Sequence, residues 1–524
     1  MLILAVFTKF DWLILLGYFA LMATVGWLCS RKKSDAEGYF LAERSMPMWA
    51  IALSVVATSL SVATFLGAPQ QSYANDLTYL SVFIGTFLAV VVVAFVFIPR
   101  FYRAGTVTIY GYIDQRLGES SRIAVACMFL LGRLIASGVR LFMAAIPLCL
   151  LLFADASGEV PIRQSLLAIG LIGIVGMAYT ISGGIRAVIW TDTVQVVIVL
   201  GAVLLCIFLL LGKIPASPGQ IVHLLANTPG IYNDGGTKLR LLDLSNNPIH
   251  KFTLWTSLIG ATALNAAAFG VDHDLAQRML TAKSPLRGGW SLIISQVATL
   301  GISALFMVVG LLLYIFYKRP DVMGAAMPTD IPAGSSKVYA HFLMHHLPSG
   351  LSGLAMAGLF AVAQGSLVSA INAMASSVVS DIYWPLRARL GLPLDKTNSA
   401  QAPRLAVVGT GLALMLFAVA ALFVFNDKST TLLDFALDVM SFAYSGMLAV
   451  FLTALLTRRG SGLSVMLALA TGVVVTLLLW DIIMPWWTAK LIGRPWSIAG
   501  FWRMPIATAA SLVVCVCGSR RLCK

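Results

Sequence analysis

Four groups of polar residues in this sequence stand where apolar residues would be expected. The first is a stripe in 358–383, GLFAVAQGSLVSAINAMASSVVSDIY. Gly365, Ser366, Ser369, Asn372, Ala373, Ser376 and Ser380 recur at steps of three and four, so a helix carries them on one face. Two uses fit such a face: close approach of another helix, or a path of oxygens for something small and polar. The second is Asp192 in ISGGIRAVIWTDTVQ, residues 181–195. Its oxygens suit a hard cation or a proton, or they cap the Ser182-Gly183-Gly184 turn. The third is the pair Arg133 and Arg140, seven apart and on similar faces of one apolar run. Each either pairs with a carboxylate such as Asp192, Asp434 or Asp438, or, for the deeper Arg140, grips a substrate carboxylate with its planar fork. The fourth is Thr58, Ser59, Ser61 and Thr64 in the middle of MWAIALSVVATSLSVATFLG, which Gly67 and Pro69 end. Hydroxyls can replace backbone partners where a membrane helix unwinds, and half-helix ends with freed carbonyls make ion and substrate sites there.

The elements that must hold these residues are membrane helices. The chain has 524 residues, of which 59% are hydrophobic and 11% charged. Soluble domains carry about 25% charged residues, so this is a polytopic membrane protein. Apolar runs long enough to span lie near 10–29, 47–67, 77–99, 122–153, 161–182, 188–212, 252–277, 287–317, 350–380, 404–427, 433–457, 463–484 and 498–518. That is thirteen spans. With the N-terminus outside, most of the 36 Lys and Arg fall on the inner side, from Arg31, Lys32 and Lys33 through Arg278 and Lys283 to Arg520, Arg521 and Lys524. The C-terminus is then cytoplasmic. The net charge of +14 reads as inner loops near anionic headgroups, not as a nucleic-acid surface.

Two spans are interrupted: the second by its hydroxyls, and the seventh by Asn265 and Gly270 before Asp272-His273-Asp274. They are five spans apart, the spacing of two five-helix repeats that each begin with a broken helix. The seven cysteines are scattered without a CxxC pair and read as buried small hydrophobes. His341 and His345 are four apart on a short amphipathic helix in 335–347, where a solvated face outweighs a transition-metal site. No HExxH, GxSxG, Walker or kinase motif occurs, so an enzyme or sensor is disfavoured.

These residues resemble the sodium:solute symporter family, which holds bacterial proline, pantothenate, sialic acid and galactose carriers and animal glucose and monocarboxylate carriers. The likeness rests on Gly38-Tyr39-Phe40-Leu41-Ala42, the hydroxyl-rich second span, ISGGIRAVIWTDTVQ, HDLAQRMLTAKS at 273–284, and Ser380-Asp381-Ile382-Tyr383. It implies a LeuT-type all-α fold of inverted five-helix repeats. The chain then divides into an extra N-terminal helix and inner loop (1–46), a first repeat (47–212), an outer loop (213–251), a second repeat (252–457), and two additional helices with a cytoplasmic tail (458–524). The resemblance further implies a sodium ion held by the carbonyls of Ala57, Leu60 and Val362 and the hydroxyl of Ser366. Gly365 stands where the family commonly carries a second hydroxyl, so one usual ligand is missing. Asp192 and Ser369 match a second sodium site of some relatives, with Val368 replacing a serine there; Asp192 equally suits a proton. Thr58, Ser61 and Thr64 occupy substrate-contact positions, and Arg140 lies on the helix whose arginine meets the carboxylate in the sialic acid branch. The implied function is sodium-coupled import of a small carboxylate solute by a monomer in the bacterial inner membrane. A proton-coupled carrier of the same fold is the alternative.

Overall fold

The computed structural model describes residues 7–30, 36–153, 162–230, 236–328, 334–335, 338–392, 401–424 and 432–518. Among them helices dominate, and β-pairing is limited to three isolated bridges. The principal helices are α1 (Lys9–Ser30), α2 (Met48–Ser59), α3 (Val62–Ala74), α4 (Thr78–Ala104, with one π turn), α5 (Glu119–Phe153) and α6 (Ile162–Lys213). After the stretch 214–261 come α7 (Thr262–Gly270), α8 (His273–Leu280), α9 (Pro285–Lys318), α10 (Val338–His345), α11 (Leu351–Ser377) and α12 (Gln401–Val424). α13 (Leu432–Leu456), α14 (Gly462–Leu478) and α15 (Gly500–Val516) complete the chain. Among the described residues seven helices are long and apolar enough to cross a membrane alone, and α2 with α3 passes as a further span bent by 66°.

Burial separates the lipid-facing helices from the central ones. The apolar window of Leu351–Arg389 is 94% buried, that of α1 only 22%, so α11 is the axial helix and α1 a peripheral brace. α11 packs against α6, α1, α2, α5, α8 and α12, while α13, α14 and α15 pack together at one side. The Asp11 carboxylate on α1 accepts from the backbone N–H groups of Gly350 and Gly353 at 2.8 and 2.7 Å. It thereby supplies the acceptor that the first turn of α11 lacks.

The breaks have local causes. Leu60 adopts φ −74°, ψ 125° between α2 and α3, so the helical ladder stops there. Gly184 adopts φ +55°, ψ −152° inside α6, a conformation that L side chains avoid, and it abuts the Tyr39 carbonyl. The Tyr39 hydroxyl donates to the Thr180 carbonyl at 2.6 Å, which locks the Gly38-Tyr39-Phe40 stretch onto this turn. α7 ends at Gly270, and Asp272 caps α8 by accepting from the N–H of Asp274 at 2.9 Å.

Two sequence expectations change here. Gly67 and Pro69 do not end the second span, since α3 continues to Ala74 with Pro69 inside it. A proline removes one ladder donor, and the neighbouring Ser72 hydroxyl instead ties α3 to the Met307 carbonyl of α9 at 2.7 Å. The hydroxyls of Thr58 and Ser59 do not replace partners lost at the break. They donate to the carbonyls of Ser54 and Val55 within α2, each at 2.8 Å.

Candidate functional site

The site grows from α8, whose residues from His273 to Leu280 are all buried although the helix carries Asp274, Gln277 and Arg278. The Arg278 guanidinium meets Asp192 Oδ2 at 3.0 Å and Asp274 Oδ1 at 2.9 Å, and donates from Nε to Ser54 Oγ at 2.8 Å. Ser54 in turn donates to Asp192 Oδ2 at 2.5 Å. Arg133 of α5 pairs with Asp272 at 3.1 Å and also with Asp274. The Tyr444 hydroxyl donates to Asp272. Five charged side chains thus share one buried cluster, each with at least one partner of opposite charge, which is the condition under which buried charge is tolerated.

The stripe of α11 docks on this polar helix. Ser369 donates to Asp274, the Asn372 amide donates to Gln277 Oε1 at 3.1 Å, and Ser376 Oγ lies 3.2 Å from His273 Nε2. Nearer the α11 N-terminus, Gly358 lets α6 approach, with Ala202 in contact at its face. The stripe thus serves helix packing in two ways, by close approach at Gly358 and by hydrogen bonds to α8 from Ser369, Asn372 and Ser376.

The sequence places Arg278 among inner-loop cations, but it is fully buried and ion-paired. The signal available was its spacing, four residues after Asp274, which sets up the intrahelical pair. Arg133 takes the carboxylate-pairing role, with Asp272 and Asp274 as partners. The side chains of Asp434 and Asp438 lie outside the described residues.

Beside the cluster is a cavity of about 150 Å³, and Thr58, Ser61, Thr64, Arg140, Asn265 and Gln296 are among its lining residues. All four substrate-contact candidates are thus together. Arg140 donates from Nη2 to the Met440 sulfur at 3.1 Å and has no carboxylate partner among the described residues; its Nε is buried without an acceptor.

Of the cation candidates, Ala57 and Leu60 stand at the end of α2. Ala57 belongs to its last turn, where the helical ladder ends with the Leu60 N–H donating to the Val56 carbonyl at 2.9 Å. Val362 and Ser366 lie one turn apart on α11, which packs on α2. Ser366 Oγ donates to the Ala363 carbonyl at 3.3 Å and keeps its lone pairs. A Cβ on Gly365 would stand 3.7 Å from the Ala57 carbonyl oxygen and 3.6 Å from Asp192 Oδ1. Asp192 therefore faces both Arg278 and this space. Ser369, its expected companion, turns its hydroxyl to Asp274 instead.

Away from this centre, α10 forms as expected, with Val338, Phe342 and Leu343 buried. The His341 and His345 rings lie 4.4 Å apart, and His341 Nδ1 is 3.3 Å from the Tyr317 hydroxyl.

A model of the sodium:solute symporter family matches residues 39–472. The chain belongs to that family. The sodium/sialic acid symporter SiaT of Proteus mirabilis (strain HI4320) is 25% identical over 472 residues, covering 89% of this chain and 88% of the relative. The human sodium-coupled monocarboxylate transporter 1 is 26% identical over 477 residues, covering 90% and 73%. Among solved structures, a substrate-bound, outward-open sodium-coupled sialic acid symporter superposes with a TM-score of 0.78 at 22% identity, covering 97% of both chains. The fold is that of this symporter. The protein is a multi-pass membrane transporter coupled to sodium, in a family of carriers and not of enzymes.

Proposed function

We propose that this symporter imports a small organic solute bearing a carboxylate, and that Arg140 receives the carboxylate. The observation that carries this reading is the state of Arg140. It is a guanidinium on a cavity wall within the membrane, without an acidic partner among the described residues, beside the hydroxyl-bearing Thr58, Ser61 and Thr64. A charge so placed is costly unless a partner arrives, and a carboxylate is the partner its fork fits best. Sialic acid carriers and monocarboxylate carriers among the relatives share that chemical feature.

In this reading thirteen spans place the N-terminus outside and the C-terminus in the cytoplasm of a bacterial inner membrane. Two inverted repeats, 47–212 and 252–457, begin with the broken pairs α2–α3 and α7–α8. Sodium enters from outside and binds at the Ala57, Leu60 and Val362 carbonyls and the Ser366 hydroxyl. It holds α2 against α11 and so completes the cavity that α2 and α3 line. Asp192 and Ser369 belong to the polar cluster behind that site and serve a second cation only if Arg278 releases Asp192. Rocking of one repeat against the rest then exposes both cargoes to the cytoplasm, and a monomer suffices for this cycle. Membrane potential contributes about 2.3 kcal/mol per charge per 100 mV, enough for one ion to hold a tens-fold solute gradient.

Purified protein in proteoliposomes tests this directly, with sialic acid, a monocarboxylate and an amino acid as candidate solutes. Accumulation of one of them is expected only under an inward sodium gradient, and Arg140→Ala should reduce it at least about a hundredfold, the order of a lost charged contact. Uptake that runs on a pH gradient without sodium would replace this reading by the proton-coupled one.

A further inference from the structure

The cavity beside Arg140 is small for a solute site. Its volume is about 150 Å³. A protein cavity of that size takes up benzene, a molecule of about six non-hydrogen atoms. A sialic acid, with its sugar ring, glycerol-like tail and acetamido group, is several times larger. A carboxylate alone fills half of such a space, so the rest of the solute is short.

The charge of the lining narrows the class further. Arg133 and Arg140 both stand on the cavity wall, and no Asp or Glu is among the described lining residues. Arg133 is balanced from behind by Asp272 and Asp274, whereas Arg140 meets only the Met440 sulfur. The wall thus suits one negative charge. An ammonium would sit beside an uncompensated cation at low dielectric, and a second carboxylate would be left unpaired. Both an amino acid and a dicarboxylate fit worse than a monoanion.

Several of the neutral polar groups are set to accept. Thr58 and Thr299 donate their single hydroxyl hydrogens to the carbonyls of Ser54 and Ser295 in their own helices, each at 2.8 Å. What remains of each hydroxyl is lone pairs. Asn265 of α7 turns its NH₂ end to the Ala261 carbonyl at 2.9 Å, and Gln296 of α9 turns its own to the Ser295 hydroxyl at 3.1 Å. That leaves both amide carbonyls as acceptors. Acceptors within a membrane are satisfied by a solute that brings hydrogens, and a hydroxyl brings one without charge. A keto oxygen in its place would set lone pair against lone pair.

We infer that the solute is a short hydroxy monocarboxylate of about three or four carbons, whose carboxylate meets Arg140 and whose hydroxyl donates to Thr58 and Thr299. This rests on the carboxylate reading above and narrows it. It also gives α9, through Thr299, a part in selecting the solute.

Lactate, pyruvate and alanine test this, because they share one carbon skeleton and differ in carrying a hydroxyl, a keto oxygen or an ammonium. Each lactate enantiomer, pyruvate, alanine and sialic acid are titrated into purified full-length protein at saturating sodium, read as the thermal shift and as uptake in proteoliposomes. The better lactate enantiomer should half-saturate at least about tenfold below pyruvate and alanine, the ratio that one good hydrogen bond gives. Sialic acid should give no shift. Thr299→Val keeps the shape of the side chain and removes the acceptor. It should shrink the preference for lactate over pyruvate at least about threefold, with pyruvate near its wild-type value; a merely structural role would weaken both alike. Pyruvate, alanine or sialic acid binding as tightly as lactate would overturn the inference, and so would an unchanged preference in folded Thr299→Val. If that variant does not fold, the wild-type series decides alone. A response to none of these carboxylates would instead overturn the reading on which the inference rests.

Discussion

Arg133, Arg140 and Arg278 carry the same guanidinium into the same apolar interior and end in different states. Two are bound to aspartates, and one is left beside a cavity. The separation of Arg133 from Arg140 was legible, because two charges in one apolar run demand partners and the deeper one is the harder to satisfy. The burial of Arg278 was not. It follows an apolar run closely enough to look like a basic residue of an inner loop, and only the fold of α8 back into the core makes it central. Asp192 was likewise legible as a carboxylate that needs partners, but those partners, Arg278 and Ser54, lie far off in sequence. Arg278→Met should therefore behave as a folding mutation first. It leaves Asp192 and Asp274 with less compensation in a dry site, a change that typically costs about 3–5 kcal/mol. The expected outcome is a large fall in the thermal midpoint of purified protein, with much of it recovered when Asp192→Asn is added, since that removes the stranded charge. A double variant no more stable than Arg278→Met would show that the pair with Asp192 is not what holds Arg278.

At the scale of elements, the breaks were easier to foresee than the ends. Hydroxyls in the second span and Gly270 before Asp272 announced interruptions, and α2–α3 and α7–α8 part there. Pro69 announced an end that did not come, because tertiary contacts of α3 with α9 outweigh one missing ladder bond. The true end of α3 lies at Ala74, where Lys238 reaches back. Its Nζ donates to the Tyr73 and Ser72 carbonyls at 2.7 and 3.2 Å and lies 4.2 Å from the Tyr314 ring centre. These are the open carbonyls of a helix C-terminus, where a cation is favoured. Burial nevertheless pushes the Lys238 ammonium down from 10.5 to about 8, with Asp76 opposing the shift and Lys318 adding to it. Between those values the unfolded chain holds a proton that the folded chain has released, so folding stability rises with pH there. Below about 8 both states are protonated and the penalty of burying the charge is present in full. Lys238→Met, which cannot titrate, should lack this slope. The measurement is the thermal midpoint from pH 7 to 10: the wild type should gain on Lys238→Met as pH rises through 8 to 10. A constant difference between the two would mean that the lysine does not lose its proton in the fold.

Across the whole molecule, charge balance links the two cargoes. In the central cluster three carboxylates, Asp192, Asp272 and Asp274, meet the two guanidiniums of Arg133 and Arg278, which leaves a net charge of −1. The open oxygens of Asp192 and Ala57 face the cation space on the same side. Arg140 puts +1 into the neighbouring cavity. Loaded with sodium and a carboxylate together, the centre gains no net charge; loaded with either alone, it gains one unit in a medium of low dielectric. Each cargo should therefore raise the affinity for the other, and by the same factor, because coupling between two sites is reciprocal. A factor of 5–150 is typical, corresponding to about 1–3 kcal/mol. Titrating sodium at zero and saturating solute, and solute at zero and saturating sodium, should give equal ratios. Arg140→Gln separates this electrostatic coupling from simple contact. It removes a positive charge near the cation, so sodium should bind the empty transporter more tightly than it binds the wild type, even as carboxylate uptake is lost. If Arg140→Gln weakens sodium binding instead, Arg140 supports the cation site through structure, and the charge-balance account of coupling fails.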